Sequence, residues 1–354
     1  MRTKTILVFI LIIGYICIRT IASGVYTHLR SPYYGFVEAF KLVEIKFGAT
    51  TEEVISRLVR EGIIPGRKGF QLLLLLQPKS RFIKAGEYKF DVGLSPLQVY
   101  QKLVSGQVYY HPLTIPEGKD LFDIAELVEK GGFCSQSDFL AAAQQNELVR
   151  QWDLQADNLE GYLYPDTYML TKGVKPSTIV KMMMKRFQEV FNEELREECA
   201  RKGFSVREIV TLASIIEKET SIHQEKPIIS AVYRNRLRRG MLLQCDPTLI
   251  YALKKEILYQ GNIRNRDFEF DSPFNTYRYK GLPPGPIANP GRESLIAALH
   301  PADSDYLYFV SKNNGEHHFS RTLREHQNAV IRYQKRHPRT GKGGASSKTP
   351  TFPS

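Results

Sequence analysis

The segment "ASIIEKETS" (Ala213–Ser221) runs an apolar helical pattern into two glutamates, Glu217 and Glu219, with Thr220 directly after the second. Such carboxyls suit general acid–base work, in which a positioned side chain hands a proton to a leaving group. Ile209, Leu212, Ala213, Ile216 and Thr220 follow the i, i+3, i+4, i+7 spacing of one helix face from about Val206. Residues two apart lie about 200° around the axis from each other. Glu217 and Glu219 therefore flank the stripe on opposite edges, Lys218 points away from it, and the two acids cannot act side by side. A carboxyl at the margin of a packed face is partly desolvated, which raises its pKa and keeps it protonated near neutrality. Both glutamates have almost the same offset from the stripe's centre, so periodicity does not choose between them. The plainer reading is a pair of boundary residues salt-bridged to neighbours such as Lys218 or Arg207.

The chain that must position them has 354 residues, enough for two compact domains. Its net charge of +12 favours a polyanion: nucleic acid, acidic lipid headgroups or a carboxylate-bearing polymer. The cysteines Cys17, Cys134, Cys199 and Cys245 make no CxxC and no Cys/His cluster with zinc-ligand spacing, so neither a metal nor another cofactor is expected. A disulfide framework is not indicated, although a single bridge, Cys199 to Cys245 for instance, stays open.

At the N-terminus Arg2 and Lys4 precede an uncharged run from Thr5 to Ile18. With Arg19 snorkelling and Thr20 to Val25 added, the run reaches about 20 residues, enough to span a bilayer. Residues 1–25 are expected to be an anchor with a cytoplasmic N-terminus and the bulk of the chain outside. The rival is a cleaved signal peptide, for which "TIAS" offers small residues. Export in either case weakens the nucleic-acid reading, which charge alone suggests and no recognised binding motif supports.

Two segments then look alike. "FGATTEEVISRLVREGII" and "PEGKDLFDIAELVEKGGF" pair Gly48 with Gly118, Val54 with Ile124, Leu58 with Val128 and Gly62 with Gly132. Between them "LSPLQVYQKLVSG" carries a cap at Ser95, Pro96 at the first helical position and Gly106 as terminator. "AGEYKFDVG" and "QVYYHPLTI" read as short strands. From about Ser205 longer helices follow, then the breaker-rich "SPFNTYRYKGLPPGPIANPG", whose Tyr277, Tyr279, Leu282 and Ile287 argue for order. "DYLYFV" and "HHFS" read as paired strands, and the tail, residues 336–354, as disorder. The fold class expected is α+β.

The C-terminal half resembles the YceG-like (MltG) family of endolytic murein transglycosylases. The resemblance rests on "LEGYLYPDTY", "ASIIEKET", "VYRNRL", "LLQCDPTLIYAL", "FNTYRYKGLPPGPIANPG" and "AALHPADSDYLYFV", in that order from Leu159 to Val310. It implies a transmembrane anchor, a small LysM-like glycan-binding α+β subdomain over residues 26–112 and a mixed α+β catalytic domain over residues 113–335. It further implies an inner-membrane enzyme that cuts nascent peptidoglycan strands internally, ends their elongation and works beside the membrane's wall-synthesis machinery. The bond would be the β-1,4 link from N-acetylmuramic acid to N-acetylglucosamine, and closure of the muramic C6 hydroxyl on C1 would leave a 1,6-anhydro end. Water is not consumed, so one carboxyl serves first as acid and then as base. Lytic transglycosylases of other folds carry the acid as Glu-Ser at a helix end; Glu219-Thr220 is similar, which makes Glu219 the expected catalyst and Glu217 its support.

Further candidates are weighed against plain structural roles. Asn275, Thr276 and Tyr277 suit N-acetyl and sugar-ring contacts, or simply a loop turn. Arg234, Asn235 and Arg236 suit glycan carboxylates, whereas Arg238 and Arg239 read as a basic patch. Gln244 and Asp246 suit the cleft, with Asp246 equally suited to capping the helix at Pro247. Glu160, Tyr164, Asp166 and Tyr168 suit a cleft wall or domain packing. Gly281, Pro283, Pro284, Gly285 and Pro286 are expected to stiffen their loop, and His300, His317 and His318 to be structural or exposed. The rival functions are a non-catalytic wall-binding scaffold and a water-using muramidase with Glu217 or Asp246 as base.

Overall fold

A computed structural model describes residues 2–76 and 82–335; the tail expected to be disordered lies outside them. The chain divides into one unit of Met1–His111 with Met169–Gly173 and a second of Pro112–Tyr168 with Val174–Ser354.

In the first unit α1 (Arg2–Arg30) is followed by β1 (Phe40–Ile45), α2 (Thr51–Arg60), α3 (Arg67–Leu76), β2 (Gly86–Asp91) and α4 (Pro96–Ser105). The strands pair antiparallel, Phe40 opposite Asp91 and Ile45 opposite Gly86. Capping boxes at Thr50 and Ser95 start α2 and α4, and Gly106 closes α4 in the left-handed conformation. Val54, Ile55 and Leu58 from α2 meet Tyr88 and Phe90 from β2 in one buried cluster. The helix α1 runs past the end read from sequence, Val25, to Arg30, roughly 44 Å at 1.5 Å per residue. Its stretch Val8–Arg30 is long and apolar enough to cross a membrane, a test that signal sequences also pass. The last turn continues because Leu29 is buried in the unit's core.

The second unit holds β3 (His111–Thr114), α5 (Leu121–Lys130), α6 (Gln136–Ala143), β4 (Thr167–Leu170), α7 (Pro176–Val190), α8 (Glu193–Arg201) and α9 (Val206–Glu219). It continues with α10 (Lys226–Arg238), α11 (Asp246–Lys255), α12 (Arg292–Leu299), β5 (Tyr308–Ser311), β6 (His317–Ser320) and α13 (Leu323–Val330). Strands β3 and β4 form one ribbon, β5 and β6 another, and the unit boundaries fall within β3 and β4. Helix α9 is the hub. Its residues Ile209 to Ile216 are all buried, and α10, α11 and α12 pack on it.

The paired segments share a backbone plan. Gly48 and Gly118 precede their helices at φ 80° and 75°, and Gly62 and Gly132 follow them at 71° and 70°. Only glycine takes those angles without strain. The strand readings were too long at two sites. "QVYYHPLTI" pairs only over His111–Thr114, and "DYLYFV" only over its last three residues, in a strand that runs Tyr308–Ser311. Within β5 only Val310 is buried, because a ribbon of two strands has no further strand to shield it.

Candidate active site

Helix α9 opens with a capping box between Ser205 and Glu208 and stops at Thr220, whose backbone is extended (φ −146°, ψ 142°). The Thr220 hydroxyl accepts from the Ile222 amide at 3.1 Å and donates to Glu225 Oε2 at 3.2 Å. Glu225 in turn accepts from the His317 backbone amide at 2.8 Å and lies 2.7 Å from His317 Nδ1. The hydroxyl residue after the second glutamate therefore fastens the helix end to β6.

Glu219 is the half-buried last residue of that helix. The Tyr233 hydroxyl from α10 donates to its Oε1 at 2.6 Å, and the Cys245 thiol donates to the same oxygen at 3.1 Å. Burial pushes the carboxyl's pKa up; the Tyr233 and Cys245 hydrogen bonds pull it back, Asp246 adds to the rise and His317 opposes it. Desolvation wins, so the group holds its proton above the ordinary carboxylate range.

Glu217 leaves the helix into a different environment. Both of its oxygens lie 3.2 Å from the buried Lys226 ammonium, and Oε2 also accepts from the Gly291 amide at 3.0 Å and the Ser294 hydroxyl at 2.6 Å. Gly291 is the N-cap of α12, where exposed amides and the helix dipole favour an anion. This carboxylate joins α9, α10 and α12. Its acceptor sites are filled.

The loop after α11 is tied down beside Glu219. Asn275 is fully buried, with its amide hydrogens on the Phe268 and Phe270 carbonyls at 2.9 and 2.8 Å. Thr276, also buried, accepts from the Cys245 amide at 3.0 Å and lies 2.8 Å from the Thr248 hydroxyl. Tyr277 donates its hydroxyl to Asp246 Oδ1 at 2.5 Å. Burial raises the pKa of Asp246, opposed by that bond. Asp246 does not cap its helix, as one reading had it: the cap position falls on Cys245, without a side-chain bond. The Gln244 side chain is half-buried with no hydrogen-bond partner among the described residues, on a left-handed backbone of φ 50°.

The basic residues of α10 bind protein. Arg234 donates to the Ala298 carbonyl from Nε at 3.2 Å and Nη2 at 2.5 Å, and stacks on Phe204. Asn235 donates to the Ser304 and Tyr306 carbonyls at 2.9 Å, and Arg236 to those of Leu307 and Leu243 at 2.7 and 2.8 Å. These groups hold the end of α12, the chain leading into β5 and the chain before α11. Their carbonyl partners are invisible to sequence reading, because a guanidinium suits a carboxylate and a backbone oxygen alike.

Glu160 and Tyr164 are buried. Glu160 accepts from the Leu121 amide and the Asn289 side chain, both at 3.0 Å. Burial and then Asp120 push its pKa up to about 8 against bonds from the Leu121 amide, Tyr251 and the Gly161 amide. The folded value lies above the unfolded one, so this group's stabilisation is complete below about pH 4.5 and is lost as pH rises through about 8. Glu160→Gln is expected to melt below the native chain at pH 5 by a margin that shrinks towards pH 9; a margin constant with pH would exclude the effect. Tyr164 receives the Tyr168 hydroxyl on its carbonyl, and Asp166 receives Arg186 at 2.7 Å.

The stiff loop also lies against α9. Arg207 donates to the Pro284 carbonyl at 2.6 Å, Ile287 donates to the Ser214 hydroxyl at 3.0 Å, and Ile287 is buried. All four cysteines are free. Of the two donors to Glu219, Tyr233 carried no expectation from sequence, and Cys245 carried only the open bridge to Cys199, which does not form. The two lie 14 and 26 residues from Glu219, beyond any helical period.

A half-buried acid at a helix end, with one oxygen held by two donors and a raised pKa, meets what general acid–base chemistry requires of a side chain. The chain belongs to the YceG-like family, which matches residues 43–332. A Bacillus subtilis (strain 168) protein named endolytic murein transglycosylase is 35% identical over 307 residues, covering 82% of this chain and 84% of its own length. A Streptococcus pneumoniae (strain D39) protein of the same name is 28% identical over 331 residues, 82% of this chain and 59% of that protein. The crystal structure of a YceG-like protein from Listeria monocytogenes superposes with a TM-score of 0.57 at 32% identity, covering 82% of this chain and 99% of that one.

Proposed function

We propose that this chain is a membrane-anchored endolytic transglycosylase of peptidoglycan, with Glu219 as general acid and then general base. One observation carries the reading: of the two helix-end glutamates, Glu219 is the one left free to exchange a proton. Tyr233 and Cys245 occupy its Oε1, while Oε2 has no hydrogen-bond partner among the described residues. Glu217 is saturated by Lys226, Gly291 and Ser294.

The acid's raised pKa lets it hold its proton to higher pH than an ordinary carboxyl, as a general acid must. Its proton goes to the glycosidic oxygen as the C1–O bond breaks, and the carboxylate then takes the proton of the muramic C6 hydroxyl as that oxygen closes on C1. Activity should hold on the acid side and fall as pH rises through the Glu219 pKa. A muramidase would need a second carboxyl to activate water. Asp246, an acid whose charge bears on Glu219, is held by Tyr277 and pushed towards its neutral form, which disfavours that route.

Gln244 and the half-buried ring of Tyr277 are assigned to the glycan, with Asn275 and Thr276 fixing their loop beside Glu219 and Arg234 and Asn235 in supporting places on α10. The first unit is assigned the LysM-like glycan contact, α1 the anchor in the inner membrane, and the second unit a place outside it near wall-synthesis enzymes, where cleavage ends strand growth. The test is digestion of purified murein by the full chain. Soluble fragments whose new muramic ends resist borohydride support the reading. Reducing ends would indicate a muramidase, and no release a binding protein.

A further inference from the structure

Cys245 is held more firmly than a core cysteine needs to be. Its amide donates to Thr276 Oγ1 at 3.0 Å, and its carbonyl accepts the Thr248 hydroxyl at 2.7 Å. Before it, the Gln244 amide donates to the Thr276 carbonyl at 3.1 Å, and the Leu243 carbonyl accepts Arg236. Gln244 sits at φ 50°, a conformation that costs a non-glycine residue about 1 kcal/mol or more and persists only where its surroundings impose it. With both backbone groups fixed, the side chain's one heavy-atom torsion places Sγ 3.1 Å from Glu219 Oε1.

The groups facing Glu219 come from several elements. Tyr233 stands on α10, Cys245 and Asp246 at the start of α11, Tyr277 behind Asp246 on the loop, and His317 on β6. On α9 itself Lys218 turns away to the Gly118 carbonyl at 3.1 Å. Two of these groups reach the carboxyl by hydrogen bond, and both choose the same oxygen. The acidic proton therefore belongs on Oε2.

We infer that Cys245 is a positioning residue that tunes the acid: its S–H and the Tyr233 O–H together hold Oε1, and sulfur, the weaker donor, leaves the carboxyl a tighter hold on its proton than a hydroxyl would. Burial pushes the thiol's own pKa well up, so Cys245 stays an S–H donor. A donor to a carboxylate stabilises its ionised form in proportion to donor strength. Serine at this position would favour ionisation and alanine would oppose it.

The inference rests on Glu219 being the acid, and the experiment separates the two. The pH profile of kcat/KM is measured for fragment release from murein by the full-length chain, Cys245→Ser and Cys245→Ala. The alkaline limb is expected to move down by about half a pH unit or more in Cys245→Ser and up by a similar amount in Cys245→Ala, a difference of order 1 kcal/mol per hydrogen bond. The near-isosteric serine variant keeps the test valid if alanine disturbs the fold. Limbs that coincide, or shift in the opposite order, overturn the tuning role while leaving Glu219 as the acid. Loss of the alkaline limb from the unsubstituted chain, with activity retained at high pH, overturns the acid assignment itself.

Discussion

Glu219→Gln is expected to lower the release of murein fragments by roughly a hundredfold to ten-thousandfold, the usual contribution of a positioned general acid. The fold should persist. Glutamine retains a carbonyl oxygen to accept the Tyr233 and Cys245 bonds, and it removes a carboxyl whose ionised form is penalised by burial. The melting temperature should therefore be unchanged or raised. Glu217→Gln should show the opposite division, since its four contacts join three helices and none faces a free reactant. Comparing fragment release and thermal melts for the two variants checks this directly. Full activity in Glu219→Gln with loss in Glu217→Gln would reverse the assignment.

Lys226→Met carries the largest expected effect on stability. Lys226 and Glu217 have side chains only 2% and 7% exposed, so removing the ammonium strands a carboxylate inside the protein. Breaking a buried pair on one side costs about 3–5 kcal/mol. For a unit of this size that corresponds to roughly 10 °C of melting temperature. The double variant Glu217→Gln with Lys226→Met should recover part of the loss, because no unpaired charge remains. A thermal melt of the single and double variants decides it: additive losses would mean that the pair contributes little as a pair.

Legibility from the sequence tracked the range of the interaction. Capping at Ser95 and termination at Gly106 depend on residues within a turn or two, and both were read correctly. The four glycines of the paired segments were found by alignment, and their left-handed angles explain the match. The choice between Glu217 and Glu219 was different. It depends on Lys226, Tyr233 and Cys245, and only the packing of α10 and the α11 start against α9 brings them there. The family resemblance, rather than helical periodicity, pointed to Glu219.

Polar residues in recognisable motifs were hard to apportion for a related reason. Asn235 and Asn275 carry amides that suit an N-acetyl group as well as a backbone carbonyl, and only burial shows where those hydrogens go. Six helices, α3, α6, α7, α8, α12 and α13, have no counterpart in the sequence reading, although local signals exist at four of them: Ser135 caps α6, Pro176 opens α7, Asn192 caps α8 and Thr322 caps α13.

The central claim is that one carboxyl exchanges its proton with the substrate itself and that no water enters the product. Digestion of murein in water enriched in heavy oxygen, followed by mass spectrometry of the fragments, tests it most directly. Fragments without the label, each lighter by one water than a hydrolysis product, are the expected result. Heavy oxygen at C1 of the released muramic acid would contradict it.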